Sequence, residues 1–424
     1  MSSISAVTDT YKSPDLCCRF CKSALTQSVV DLGMSPLCQT QIEPDQLNRY
    51  EVFYPLHAYV CGSCFLVQID EYVKPDLIFS DQYPYFSSYS ESWVEHARRY
   101  CEHMSTDHGI GTDKFVVEIA SNDGYLLQHF VDMGVRVLGI EPAANVAEAA
   151  REKGVDSDIS FFSVETAERV AREHGKPDLL LGNNVLAHVP DIRDFVGGMK
   201  ALLGKGGIIT MEFPHLLNLI DKNQFDTIYH EHFSYLSLTT VQTIFAHFGL
   251  TVFDVEEIAT HGGSIRIYAR HDDDASKPVS PRVGALIDRE RDFGLTTMEL
   301  YAGFSEKVKA TKRDILDFLV SRKRAGKTIA GYGAPGKGNT LLNYCGIRTD
   351  FLDYTVDISP HKHGTYTPGT RIPILKPDAI KETRPDYLFV LPWNLIKEIM
   401  SQTAYIREWG GRWVVPIPKL EIVE

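Results

Sequence analysis

The sequence predicts an α/β protein with an N-terminal zinc-binding domain, a central Rossmann-like sheet and a C-terminal Rossmann-like domain. Three observations carry that prediction. Two Cys-x-x-Cys pairs, Cys18/Cys21 and Cys61/Cys64, stand near the start. From about Lys114, short apolar runs alternate with amphipathic ones, the pattern of a doubly wound sheet. A second strand, glycine-rich turn and helix begins at Lys327. The three parts are expected to span residues 1–80, 81–290 and 291–424.

Length and composition agree with several domains. A chain of 424 residues exceeds one comfortable core, and 44% hydrophobic with 23% charged residues is ordinary globular composition. Lys plus Arg number 43 against 56 Asp plus Glu, a net charge of -13. That balance argues against non-specific nucleic-acid binding, which wants a positive surface. No apolar run approaches bilayer length, and Met1 to Ser13 lacks a signal-peptide core, so no membrane is expected and the cytoplasm is the expected location.

The paired cysteines come first along the chain. A two-residue gap lets both thiolates of a pair meet one centre, and two such knuckles build a tetrahedral four-sulfur site suited to zinc, Zn2+. The 39 residues between Cys21 and Cys61 make a long loop, but closure entropy grows slowly with length. Cys17 and Cys38 are expected outside the ligand set. A fully sulfur-ligated ion keeps no open position, so it should hold the fold rather than do chemistry. Four unrelated buried thiols or a redox pair are the competing readings.

The later elements follow in order. Residues 81–90 are polar and aromatic and lead into a helix over 93–104. Strands are expected at 114–119, 135–140, 177–183 and 207–213, with helices at 125–133, 143–153 and 192–203 between them. A helix at 239–248 and strands at 251–258 and 264–269 follow. Residues 272–281 read as a charged linker, and 298–324 as one long charged helix. The last part opens with a strand from 327, a helix at 340–345 and a strand at 351–356.

Three constellations carry chemistry. Glu118-Ile-Ala-Ser-Asn-Asp-Gly124 ends the first central strand in small residues that let a ligand approach the backbone, with Asp123-Gly124 as a tight turn. Glu141, just past the second strand, can accept both ribose hydroxyls of a nucleoside. Glu118, Asp123 and Glu141 together suit a sulfonium nucleoside better than an anionic dinucleotide; the plain alternatives are a helix cap for Asp123 and a surface acid for Glu141. Tyr229-His230-Glu231-His232 offers an imidazole base, an orienting carboxylate and a phenol, with Glu212 as a further acid. If extended, His230 and His232 would share one side, opposite Tyr229 and Glu231, and metal ligation by the two histidines competes. Lastly, Gly331-Tyr-Gly333-Ala-Pro-Gly336 is a literal G-x-G-x-x-G with Asp357 placed 21 residues after Gly336, the pattern for NAD.

The sequence resembles the S-adenosylmethionine-dependent methyltransferases. Glu118 to Gly124 looks like their first motif, with Ala120 and Asn122 replacing two glycines; Glu141 matches the ribose-binding acid, and Asn183 to Val189 the segment beside adenine and methionine. More closely, and over nearly the whole chain, it resembles the sugar C-methyltransferases that act on nucleotide-linked keto-deoxysugars, through its four cysteines and its Tyr-His-Glu-His run. The resemblance implies S-adenosylmethionine as cofactor, held by Glu118, Ala120, Asn122, Gly124, Glu141 and Asn183. It implies a nucleotide-diphosphate keto-deoxysugar, dTDP-linked, as substrate. A proton next to the ketone would leave, and the enolate carbon would take the methyl. His232 is the first choice of base and Tyr229 the alternative, with Glu231 orienting the imidazole or binding the sugar. An upstream tyrosine near the sugar matches Tyr83 or Tyr85. In this family the C-terminal domain helps hold the nucleotide-sugar, so amides of Gly333 to Asn339, with Lys337, would meet diphosphate. The competing functions are an NAD-dependent oxidoreductase using Gly331, Gly333, Gly336 and Asp357, and methylation of an oxygen or nitrogen acceptor.

Overall fold

A computed structural model describes residues 16–73 and 86–424, so Tyr83 and Tyr85 lie outside the described residues. The cysteine-rich part builds an antiparallel sheet from Gln27–Ser35 (β1), Tyr54–Val60 (β2) and Val67–Ile69 (β3). None of these strands was expected, because the sequence there was read for its cysteines and prolines rather than for alternation.

The central sheet follows the expected alternation. Phe115–Ile119 (β4), Arg136–Ile140 (β5), Ser157–Asp158 (β6), Leu179–Asn183 (β7) and Ile208–Pro214 (β8) run parallel. The chain then leaves this sheet: Ser234–Tyr235 (β9) pairs with β3 of the cysteine-rich part. It returns as Leu250–Ile258 (β10) and Ser264–His271 (β11), and β11 inserts antiparallel beside β8. The resulting order is β10-β11-β8-β7-β4-β5-β6. The order reverses between β4 and β7, which opens a crevice at their carboxyl ends where such sheets bind ligands. Among the helices that escaped the reading, two are ten residues or longer. Val164–Glu173 is capped by Ser163, and Pro281–Phe293 by Ser280 with Pro281 at its first position. The charged run at 272–280 hid the second of these starts.

Met298–Arg324 is the single long helix expected. It buries Tyr301, Phe304, Val308, Thr311 and Ile315, spaced three or four apart, on one stripe. That stripe shares a core with Val30 and Leu32 of β1, with Leu341 of the helix Gly336–Cys345 and with Phe389 of the last sheet. The last sheet comprises Ile329–Tyr332 (β12), Thr355–Val356 (β13), Ile374–Leu375 (β14), Tyr387–Val390 (β15), Arg412–Val415 (β16) and Glu421–Val423 (β17). Its order, β14-β13-β12-β15-β16-β17, is doubly wound about β12 and β15. No helix among the described residues is long and apolar enough to cross a membrane.

Candidate functional site

The two knuckles are built alike. Lys22 and Phe65, each directly after the second cysteine of its pair, take left-handed backbone (φ 63° and 58°) and return their N–H groups to the carbonyls of Cys18 and Cys61 at 3.0 Å. All four sulfurs lie within 4.8 Å of one another, with Cys18–Cys64 at 3.6 Å and Cys21–Cys61 at 3.4 Å. A tetrahedron of thiolates at zinc's usual bond length has edges of about 3.8 Å. Thiols this close disturb one another: contact with Cys64 holds Cys18 down to about 4 and pushes Cys64 up. A dication would remove that conflict, and the sulfurs of Cys18, Cys21, Cys61 and Cys64 are placed to hold a zinc ion. Ser63 N–H and Gln68 Nε2 donate to the sulfurs of Cys61 and Cys18 at 3.4 and 3.3 Å. Such outer bonds orient ligands and tune their charge. Cys17 is exposed and Cys38 lies elsewhere, as expected.

A cavity of about 770 Å³ opens at the carboxyl ends of β4, β5 and β7. Its floor is the turn after β4, where Ala120 and Asn122 take φ of 56° and 50°. Glu141 lines it, accepting the Asn122 and Ala143 N–H groups at 2.9 Å each, one per oxygen. Each oxygen keeps a further lone pair for a ligand hydroxyl. Burial pushes the Glu141 carboxyl up to about 7 against the pull of those two amides. Asn183 lines the wall and donates to Tyr125 Oη at 3.2 Å.

Glu118 sits behind this floor. Burial pushes its carboxyl well above the usual range, against a hydrogen bond from Tyr125 that pulls it down. Two buried acids with raised pKa values ask for a cation and for hydroxyl donors, which a sulfonium nucleoside with its ammonium supplies; the residues present fit S-adenosylmethionine. Asp123 is otherwise engaged, paired with Lys153 at 3.0 Å and accepting Ser88 N–H at 3.3 Å. Gly124 is not on the cavity wall. Its missing Cβ makes room for Ala150 and Val155, at 3.1 Å each.

The Tyr-His-Glu-His run is a turn, not an extended segment, closed by His232 N–H to the Tyr229 carbonyl at 2.9 Å. The expected faces are therefore wrong. Tyr229 and His232 come together, with Tyr229 Oη 2.8 Å from His232 Nε2, while His230 departs to the Pro55 carbonyl (3.1 Å) and the Tyr54 ring. Metal ligation by the pair of histidines falls with that geometry. His232 Nδ1 lies 2.9 Å from the Thr227 carbonyl, which can only accept. Nδ1 thus carries the proton, and Nε2 presents its lone pair to the Tyr229 hydroxyl. Burial, reinforced by the His188 ring, holds His232 well below the usual imidazole range, so the ring is neutral. Glu231 lines the cavity, accepts from the Cys38 thiol at 3.7 Å, and is pushed up to about 7 by burial. Glu212 is not a free acid. Despite burial it is held down to about 2 by His96 and Arg266, each at 2.8 Å, with Thr260 at 2.9 Å.

Two cavity histidines received no individual role in the sequence analysis. His188 meets His232 edge to face at 4.6 Å, and His261 meets Trp93 at 5.0 Å; burial lowers each to about 4. His188 could have been found from its place just beyond β7. His261, on left-handed backbone before Gly262-Gly263, gave no periodic signal.

The C-terminal glycine turn is filled by protein. A Cβ on Gly336 would meet Cys38 Sγ at 2.9 Å, and one on Gly333 would meet Pro392 Cδ at 2.6 Å. Asn339 Nδ2 donates to the Cys38 carbonyl at 2.6 Å. Asp357 accepts the Ala334 and Ser359 N–H groups at 2.8 and 2.9 Å, pairs with Lys362 at 3.5 Å and, unlike Glu141, does not line the cavity. A segment of the cysteine-rich part thus lies where a dinucleotide's pyrophosphate would rest. Only Pro335, Gly336 and Lys337 of this turn reach the cavity. Lys337 sits 4.6 Å over Trp393, donates to Asn394 and is lowered to about 8 by burial, with Asp226 opposing.

Comparison with known proteins shows the family of the chain. A zinc binding domain family matches residues 18–79, a methyltransferase domain family 93–255 and a C-methyltransferase C-terminal domain family 259–418. The C-methyltransferase NovU of Streptomyces niveus is 36% identical over 409 residues, 96% of each chain. A ubiquinone biosynthesis O-methyltransferase of Chelativorans sp. is 30% identical over 95 residues, 22% of this chain and 38% of that one. The structure of magnesium protoporphyrin IX methyltransferase from Synechocystis, with bound S-adenosylmethionine, overlaps 42% of this chain and 78% of its own at 13% identity and a TM-score of 0.32.

Proposed function

The chain belongs to the S-adenosylmethionine-dependent C-methyltransferases, and on that premise we propose that its acceptor is a nucleotide-linked keto-deoxysugar, methylated at the carbon next to the ketone. The observation that carries this reading is the fixed tautomer of His232. Carbon methylation of a ketone needs a neutral base inside a water-poor pocket, and Thr227 and Tyr229 hold one there.

In the proposed mechanism the sugar's α-proton passes to the Tyr229 oxygen as the Tyr229 hydroxyl proton passes to His232 Nε2. His232 ends as imidazolium, still bonded to Thr227, and the enolate carbon is left as the nucleophile. S-adenosylmethionine supplies the methyl group to that carbon. Glu141 would hold the ribose hydroxyls and Asn183 would line the wall beside it, while Glu118 stands behind the floor. Ala120 and Asn122 let the backbone approach. Glu231, protonated in part near neutrality, donates to a sugar oxygen. Lys337, which lines the cavity, would meet the diphosphate with its ammonium. Four thiolates that must stay reduced favour the cytoplasm as the place of work.

The test is solvent exchange. A dTDP-linked keto-deoxysugar incubated with enzyme in deuterated water, without cofactor, should take up deuterium at the α-carbon. With cofactor it should gain the mass of one methylene on carbon. Methylation on oxygen with no exchange would overturn the reading.

A further inference from the structure

We propose that Arg19, inside the first zinc knuckle, is a positioning residue through which the metal site sets the shape of the loop from Tyr229 to Tyr235. Arg19 follows a ligand directly, so fixing Cys18 fixes its backbone, and its N–H donates to Gln68 Oε1 at 2.8 Å. Gln68 in turn donates to Cys18 Sγ at 3.3 Å. The guanidinium reaches away from the metal. Nη1 donates to the Pro190 carbonyl at 2.6 Å and Nη2 to the Ile69 carbonyl at 2.5 Å. Its carbon lies 5.3 Å from the centroid of the Phe233 ring, next to His232. Ile69 N–H also donates to the Phe233 carbonyl at 3.2 Å, and Gln68 pairs with Ser234 in the β3/β9 ladder.

One side chain thus joins three things: the knuckle, the Pro190 segment that lines the cavity two residues past His188, and the loop that carries Tyr229 and His232. Planar, forked donation to two carbonyls with a ring against the guanidinium is a geometry lysine does not reproduce. The second knuckle repeats the tie more weakly, with Thr240 Oγ1 donating to the Cys64 carbonyl at 3.2 Å. A zinc site that closes its own coordination then still bears on catalysis, by holding the Tyr229–His232 pair in register with the wall at His188.

The test uses the zinc-loaded full chain with Arg19→Met, Arg19→Lys and Phe233→Leu. Zinc content and S-adenosylmethionine affinity should match the parent within about twofold, while amide hydrogen exchange across residues 228–236 should rise roughly tenfold in each variant, the scale expected when one charge-assisted contact is lost from a local structure. On the sugar, kcat should fall while the cofactor KM stays. Unchanged exchange in 228–236 would overturn the proposal, as would a rise spread evenly over the sheet of β1, β2 and β3. If Arg19→Met loses zinc, Phe233→Leu decides, because it breaks the same contact from the loop side. Amide exchange needs no substrate, so this inference fails or stands apart from the sugar assignment on which only its turnover readout rests.

Discussion

Removing the Tyr229 hydroxyl separates the chemistry of the loop from its packing. In Tyr229→Phe the ring stays against His232, 3.9 Å between centroids, and only the oxygen at 2.8 Å from Nε2 is lost. His232 is left with a buried lone pair lacking its donor, which costs about 1–3 kcal/mol. A shift of roughly 2–4 °C per kcal/mol is usual for a mid-sized domain, so the fold survives with a modestly lower Tm. The kinetic effect should be larger. A positioned acid–base group contributes roughly 10²–10⁴-fold, so deuterium uptake at the sugar α-carbon should slow by that factor. Cofactor affinity, set at the Glu141 end, should not move. Mass spectrometry of the sugar over a time course in deuterated water, beside calorimetric titration of the cofactor, reads both. His232→Asn is the companion: the amide can still donate to Thr227 but offers no Nε2. Parental exchange rates in Tyr229→Phe with loss in His232→Asn would refute the tyrosine bridge and leave His232 acting directly. Parental rates in both would refute the mechanism.

Further perturbations address the other parts. Glu141, pushed up to about 7 in the empty protein, must give up its proton to accept ribose hydroxyls; cofactor Kd should be flat above about pH 7 and weaken toward tenfold per pH unit below it, measured by titration from pH 6 to 8. Glu141→Gln should abolish that dependence and weaken binding at neutral pH. Cys64→Ser should lose zinc by metal analysis and lower Tm, because a closed structural site contributes directly to folding. Gly336→Ala should destabilise by about 1–3 kcal/mol in denaturant unfolding, since its Cβ would meet Cys38 Sγ at 2.9 Å, and Cys38→Ala should restore most of that loss.

Much of this protein was legible in its sequence for definite reasons. The four cysteines announced a shared centre because their spacing has few other uses. The central strands were readable because buried parallel strands are continuous apolar runs, as in Phe115–Ile119 and Leu179–Asn183. Met298–Arg324 was readable as one long, highly charged run, and its bounds match the helix. Long-range partners were not readable. Nothing local shows that Ser234–Tyr235 pairs with Val67–Ile69, that Arg19 reaches Pro190, or that Cys38 fills the space beside Gly336. The glycines of Gly331 to Gly336 carried the signature of a dinucleotide cradle, yet they serve close packing, since a missing Cβ suits a neighbouring chain as well as a phosphate. His230 misled because alternation within four residues assumes a strand, and this segment turns.

The central claim is carbon methylation through an enolate, and the most direct measurement is the position of the label in the product. A dTDP-linked keto-deoxysugar should be converted in deuterated water with S-adenosylmethionine, and the product examined by NMR and mass spectrometry. The account predicts one new methyl on the carbon next to the ketone, with the original hydrogen at that carbon gone and exchange also seen without cofactor. A methyl on oxygen or nitrogen, with the α-hydrogen retained, would contradict it.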